Sequence, residues 1–153
     1  MLSVALFGHR KLEDVTKVED ILTRVVEGLL AKYAYVDFYV GRNGEFDEIA
    51  ASLIKRLCKR YGSERCGLIL VLPYSVKDTV YYETYYDSIF IPHELSRVHC
   101  KNAITVRNRW MVDNTDLTAV YAEYPSGGAY AAFWYALRKQ RHAINLANMS
   151  VEY

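Results

Sequence analysis

The sequence predicts an α/β domain built on a mostly parallel sheet of about six strands. Two observations predict it. Short apolar runs of strand length alternate with segments of helical period over the whole chain, which is the pattern of repeated βαβ units. Glycine turns then follow three of the apolar runs, as they do where buried parallel strands hand over to helices.

The first run, Ser3–Phe7, is apolar throughout and ends at Gly8-His9-Arg10. Behind it, Val18, Ile21, Leu22, Val25, Val26, Leu29 and Leu30 recur at helical spacing and make one wide apolar face, with Thr16 as the expected cap. Val36–Val40 is the second strand and ends in Gly41-Arg42-Asn43-Gly44. A helix over residues 46–60 turns Ile49, Ala50, Leu53, Ile54 and Leu57 inward, and Gly62 stops it. Cys66–Leu72 is the third strand, ended by Pro73. Residues 74–87 show no clean period and read as a loop or short helix; Ser88–Ile91 is a fourth strand. A helix over 100–113, a fifth strand Leu117–Tyr121, a helix Gly128–Arg138 and an edge strand Ala143–Leu146 complete the order. Right-handed crossovers bring the turns at the strand ends to one rim, where ligands of such folds bind.

Size and charge narrow the classes. With 153 residues the chain is one ordinary domain, and its net charge of +1 gives no bulk attraction to DNA or anionic lipid. The longest apolar run, Gly67–Pro73, is too short to span a membrane. Three widely spaced cysteines, Cys58, Cys66 and Cys100, point to a reducing cytoplasm and not to a disulfide scaffold. No Cys/His cluster has metal-site spacing, so no metal is expected.

The rim collects the polar residues. Beyond the turns after strands one and two lies Ser126-Gly127-Gly128, which opens the last helix. A glycine turn into a helix N-terminus presents free N–H groups and the positive end of the dipole, both suited to phosphate. None of the three turns matches a P-loop or the dinucleotide fingerprint. On the helix before strand five, Arg107, Asn108 and Arg109 are consecutive; the two arginines point roughly 200° apart, so only one serves the rim while the other is free to meet Asp113 or Asp116. Asp47 caps the second helix or meets a ribose hydroxyl; Glu45, Asp47 and Glu123 are the carboxylates available for acid/base work, and His9 is the histidine best placed for chemistry. Tyr81, Tyr82, Tyr85 and Tyr86 read as packing, or as a lid that stacks on a base.

The motifs resemble a known family. The segment Arg107–Leu146, with PSGGAYAAFWY at its centre, the opening VALFGHR and the turn GRNGEFDEIAA are similar to the YpsA-like proteins of the SLOG superfamily. That group also includes DprA/Smf and the LOG nucleoside-monophosphate hydrolases. The resemblance runs from Val4 to Leu146. It implies a Rossmann-like three-layer sandwich whose glycine turns hold a nucleotide or nucleotide-derived phosphate ligand. By similarity Gly8, His9, Arg10, Gly41, Asn43, Gly44, Asp47, Arg107, Asn108, Arg109, Ser126, Gly127 and Gly128 line the pocket, and Arg42 stands in the second turn where the family has a small residue. The family's hydrolase motif PGGxGTxxE is matched here without its threonine and glutamate.

The reading is therefore a cytoplasmic, sensor-type binder of a small phosphorylated nucleotide-like ligand. The alternative is a hydrolase that cleaves an N-glycosidic bond in a nucleoside monophosphate or NAD-like compound. Beyond that ligand no cofactor is implied. The aromatic excess, with Tyr130, Phe133, Trp134 and Tyr135 on more than one side of the last helix, leads us to expect a homo-oligomer. No basic stripe accompanies the domain, so nucleic acid is not expected as a partner.

Overall fold

A computed structural model describes residues 1–77 and 79–149. Six strands form one sheet in the order β4-β3-β2-β1-β5-β6, and every neighbouring pair is parallel. In chain order these are β1 (Leu2–Gly8), β2 (Val36–Val40), β3 (Cys66–Val71), β4 (Ser88–Phe90), β5 (Leu117–Tyr121) and β6 (His142–Asn145). The helices are α1 (Val15–Lys32), α2 (Glu45–Tyr61), α3 (Val80–Tyr85), α4 (Cys100–Asp113) and α5 (Gly127–Arg138). This is the α/β, Rossmann-like architecture that the alternating pattern predicts.

Side chains alternate across β1 and divide the interior in two. Val4 and Leu6 point into one core with Val18, Leu22, Leu30, Phe46, Leu53 and Ile54 of α1 and α2. Ala5 and Phe7 point into the other, with Met111 and Val112 of α4 and Ala129, Ala132 and Ala136 of α5. The switch of layer follows from topology. The chain builds outward from β1 to β4 on one side, then returns to lay β5 on the other side of β1, so right-handed connections put the later helices on the opposite face. The carboxyl ends of β1, β2 and β5 consequently meet at the place where strand order reverses.

Two local expectations are corrected, and a third, the loop or short helix after β3, is made definite. Asp14, not Thr16, caps α1, with Oδ1 accepting from the Lys17 N–H at 3.1 Å. The aperiodic stretch contains the six-residue α3, whose tyrosines contact one another: Tyr81 stacks on Tyr85, and Tyr85 meets Tyr86 edge-on. Cys58 and Cys66 are bonded to each other, with Cα atoms 5.9 Å apart, while Cys100 is free and exposed. The spacing hid that contact, because the turn at Gly62 folds the end of α2 back onto the start of β3. Among the described residues no helix is long and apolar enough to cross a membrane.

Phe46 is 0% exposed and lies in the first core with its ring 6.5 Å from that of Tyr121. Phe46→Ala is expected to cost about 3–5 kcal/mol of folding stability, because the cavity adds to the lost burial. Urea unfolding of the variant against the parent measures it.

Candidate functional site

Two turns interlock before any ligand is considered. The Glu45 N–H donates to the Arg10 carbonyl at 2.9 Å, and Glu45 Oε2 accepts from the Leu12 N–H at 2.7 Å. Gly44 permits this approach: a Cβ there would sit 2.4 Å from Arg10 Cα. The turn after β2 is closed by Asp47, whose Oδ2 accepts from the Asn43 N–H at 2.9 Å. From α4, Arg107 reaches across both. Its Nη1 donates to the Val71 carbonyl and its Nε to Asn108 Oδ1, each at 2.9 Å. Gly41 leaves room for that guanidinium, since a Cβ there would lie 2.7 Å from Nη1.

These pieces wall a cavity of about 420 Å³. The first turn contributes Gly8, His9 and Arg10, and the second Gly41, Asn43 and Gly44, with Asp47 behind them. Arg107 and Asn108 enter from α4, and Ser126, Gly127 and Gly128 close the third side at the start of α5. Ser126 occupies the N-cap position without a side-chain capping bond, and Gly127 takes φ +90°, the left-handed region that favours glycine.

The electrostatics favour an anion. Arg107 is only 3% exposed, and no carboxylate among the described residues forms an ion pair with it. Burial lowers its basicity, while the nearby Asp47 and Tyr74 oppose that. Burial likewise pushes the Asp47 carboxyl up, against the Asn43 hydrogen bond and the charges of Arg107 and Arg10. Asn43 Nδ2 is a buried donor with no hydrogen-bond partner among the described residues. Such a group costs about 1–3 kcal/mol unless an acceptor meets it.

Four expectations change in this geometry. Arg42 does not line the cavity; its guanidinium lies 4.4 Å from the Tyr82 ring centroid and donates to the Tyr82 hydroxyl. Arg109 points to a neighbouring groove and sits 5.2 Å from the Tyr135 centroid, while the Tyr135 hydroxyl donates to Asp113. Glu45 and Glu123 lie outside the lining: Glu45 holds the Leu12 amide, and Glu123 Oε1 accepts from the Tyr121 hydroxyl at 2.5 Å. His9 is not free to take a proton at Nε2, because that atom accepts from the Glu123 N–H at 2.8 Å while the ring stacks on Tyr124 at 3.9 Å. The neutral ring therefore carries its proton on Nδ1.

Sequence reasoning missed Lys11, Ile104 and Tyr124, which also line the cavity. Ile104 was within reach of it, since it stands one helical turn before Asn108 on the same face. Tyr124 had no local signal; it is placed by its stack on His9. Among the described residues no group of three or more His, Cys, Asp or Glu is arranged to hold a metal.

No family model matches the chain, and no curated protein matches it in sequence. Solved structures do match. DNA processing protein A (DprA) from Streptococcus pneumoniae superposes with a TM-score of 0.67 at 16% identity, over 94% of this chain and 49% of that one. DprA from Helicobacter pylori gives 0.65 at 16%, over 93% and 63%. The structural genomics target TM1055 gives 0.62 at 12%, over 94% and 72%.

The chain has the fold of the DprA proteins. It spans about half and somewhat under two thirds of the two DprA chains. The Helicobacter pylori protein is described as binding single-stranded DNA in a unique mode. The expectation that nucleic acid is no partner is thereby overturned. It rested on the missing basic stripe; Arg10, Lys11 and Arg107 line one concavity instead.

Burial lowers the His9 pKa below 6.5, and the Glu123 carboxylate partly offsets this. Neutral His9 thus stabilises the fold fully above pH 6.5, and that contribution falls away as pH drops through the depressed folded value. Proton NMR titration of the ring is expected to give a pKa under 6.5, and His9→Gln is expected to flatten the stability profile in that window.

Proposed function

We propose that the cavity binds the phosphate of a nucleotide unit. One convergence carries this reading: the first turn of α5, without a side-chain cap, and a buried guanidinium with no ion pair among the described residues open onto the same hollow. Amide N–H groups at a helix start and a planar guanidinium are complementary to phosphate oxygens. Asn43 Nδ2 adds a donor that still needs an acceptor, and Asp47 offers an oxygen for a ribose hydroxyl. We also propose that the chain is YpsA-like, on its motifs and on the fold it shares with DprA.

The nucleotide unit is either a free small molecule or part of a single strand. The fold shared with DprA favours testing the strand directly. A hydrolytic role has one observation behind it, since among the described residues Asp47 is the carboxylate that lines the cavity. Release of free base from nucleoside monophosphates or NAD, followed by chromatography, decides that point.

Calorimetry against AMP, ADP-ribose, NAD and short oligothymidylates tests the binding reading. Arg10 is exposed and lines the cavity, so Arg10→Ala leaves the fold intact. Loss of one charge-assisted contact is expected to weaken binding by about 10- to 100-fold. If no phosphate-bearing nucleotide binds at millimolar concentration, or if Arg10→Ala changes nothing, the cavity is not a nucleotide site.

A further inference from the structure

A second groove of about 370 Å³ runs between α4 and α5 on the same side of the sheet. It adjoins the first cavity, and Asn108 and Gly128 line both. At this shared wall Asn108 spends its Oδ1 on Arg107, and its Nδ2 lies 3.5 Å from where a Cβ on Gly128 would sit.

The walls of the groove pair cations with aromatic faces. Arg109 and Arg138 both line it, and neither forms an ion pair among the described residues. The acid nearest in sequence, Asp113, accepts from the Tyr135 hydroxyl instead. Trp134 is 47% exposed, with Tyr130 edge-on to it at 6.1 Å between centroids. Tyr130 and Tyr135 are half-buried against the second core, whereas Trp134 is exposed and is not among the residues packed on it. From Gly128 at the shared wall to Trp134 the helix rises about 9 Å, which is of the order of one nucleoside. Flat apolar rings beside guanidinium groups that have no ion pair among the described residues suit a base next to a phosphate.

We propose that this groove is a second nucleoside subsite, which takes the base and adjoining phosphate of a ligand with two nucleoside units joined through phosphate. The inference rests on the reading of the first cavity as a nucleotide-phosphate site. Two sources share the chemistry: a free dinucleotide with a pyrophosphate bridge, and one step of a single strand with a phosphodiester bridge. Trp134 and Arg109 are binding residues of the second unit only.

The experiment compares AMP with NAD and with oligothymidylates of one, two and four units, by calorimetry on the full chain. Two-unit ligands are expected to bind on the order of 10-fold tighter than their one-unit counterparts, the gain of one stacked base. An increment with NAD alone assigns the free dinucleotide; an increment with dithymidylate assigns the strand. Trp134→Ala is expected to bring two-unit affinity down to the one-unit level, and Arg109→Gln to lower the salt dependence of the increment. Circular dichroism confirms that each variant is folded. If AMP binds and the second unit adds nothing, or if Trp134→Ala weakens one- and two-unit ligands equally, the subsite is refuted while the first cavity stands. If neither binds, both readings fail. A dimer that Trp134→Ala dissociates, with the two-unit increment unchanged, assigns the face to a second copy of the chain and overturns the proposal.

Discussion

The guanidinium of Arg107 is the group on which the site depends. It ties the end of β3 to α4 through the Val71 carbonyl, fills the space that Gly41 leaves, and fixes the Asn108 side chain beside it. A cation this deeply buried is costly unless it is satisfied by hydrogen bonds and by opposite charge. The described residues supply the hydrogen bonds but no ion pair. Asp47 is close enough to feel the charge, yet its carboxyl is pushed up by burial and is partly engaged with the Asn43 amide. The positive potential is therefore left facing the cavity.

Around that charge the fold is arranged so that backbone forms much of the cavity wall. The first two turns are locked by the Glu45-to-Arg10 hydrogen bond and by the close pass at Gly44. The third turn brings the open end of α5. His9 belongs to this frame: its ring, stacked on Tyr124 and holding the Glu123 amide, joins the β1 and β5 turns. The residue that looked most like a catalyst works in the folded protein as a strut.

How much of this was readable in the chain differs by level. The strands were legible because apolar runs such as Val36–Val40 and Leu117–Tyr121 have no other economical place than a buried sheet. The three turns were legible because glycine at a strand end is a local signal. The direction of a side chain was not. Arg42 stands in the right turn but faces Tyr82, which α3 delivers from 40 residues away. The split between Arg107 and Arg109 was foreseen from helical geometry, although Arg109 found the face of Tyr135 and not an acid. The order of strands depends on long-range packing that no short window of sequence contains, and the Cys58–Cys66 bond depends on how the turn at Gly62 folds α2 back onto β3.

The position of β1 has a consequence for synthesis on the ribosome. This first strand lies in the interior of the sheet, yet one of its two neighbours, β5, begins at Leu117. Until β5 is made, the nascent segment offers only β1 to β4 with α1 to α4, and one flank of β1 keeps its backbone groups unpaired. That flank is a sticky margin for other chains until residues 117–121 emerge, and pairing across so long a separation is slow. The same late-arriving segment carries the last turn of the cavity, so the binding hollow comes into being only at the moment that the sheet is sealed.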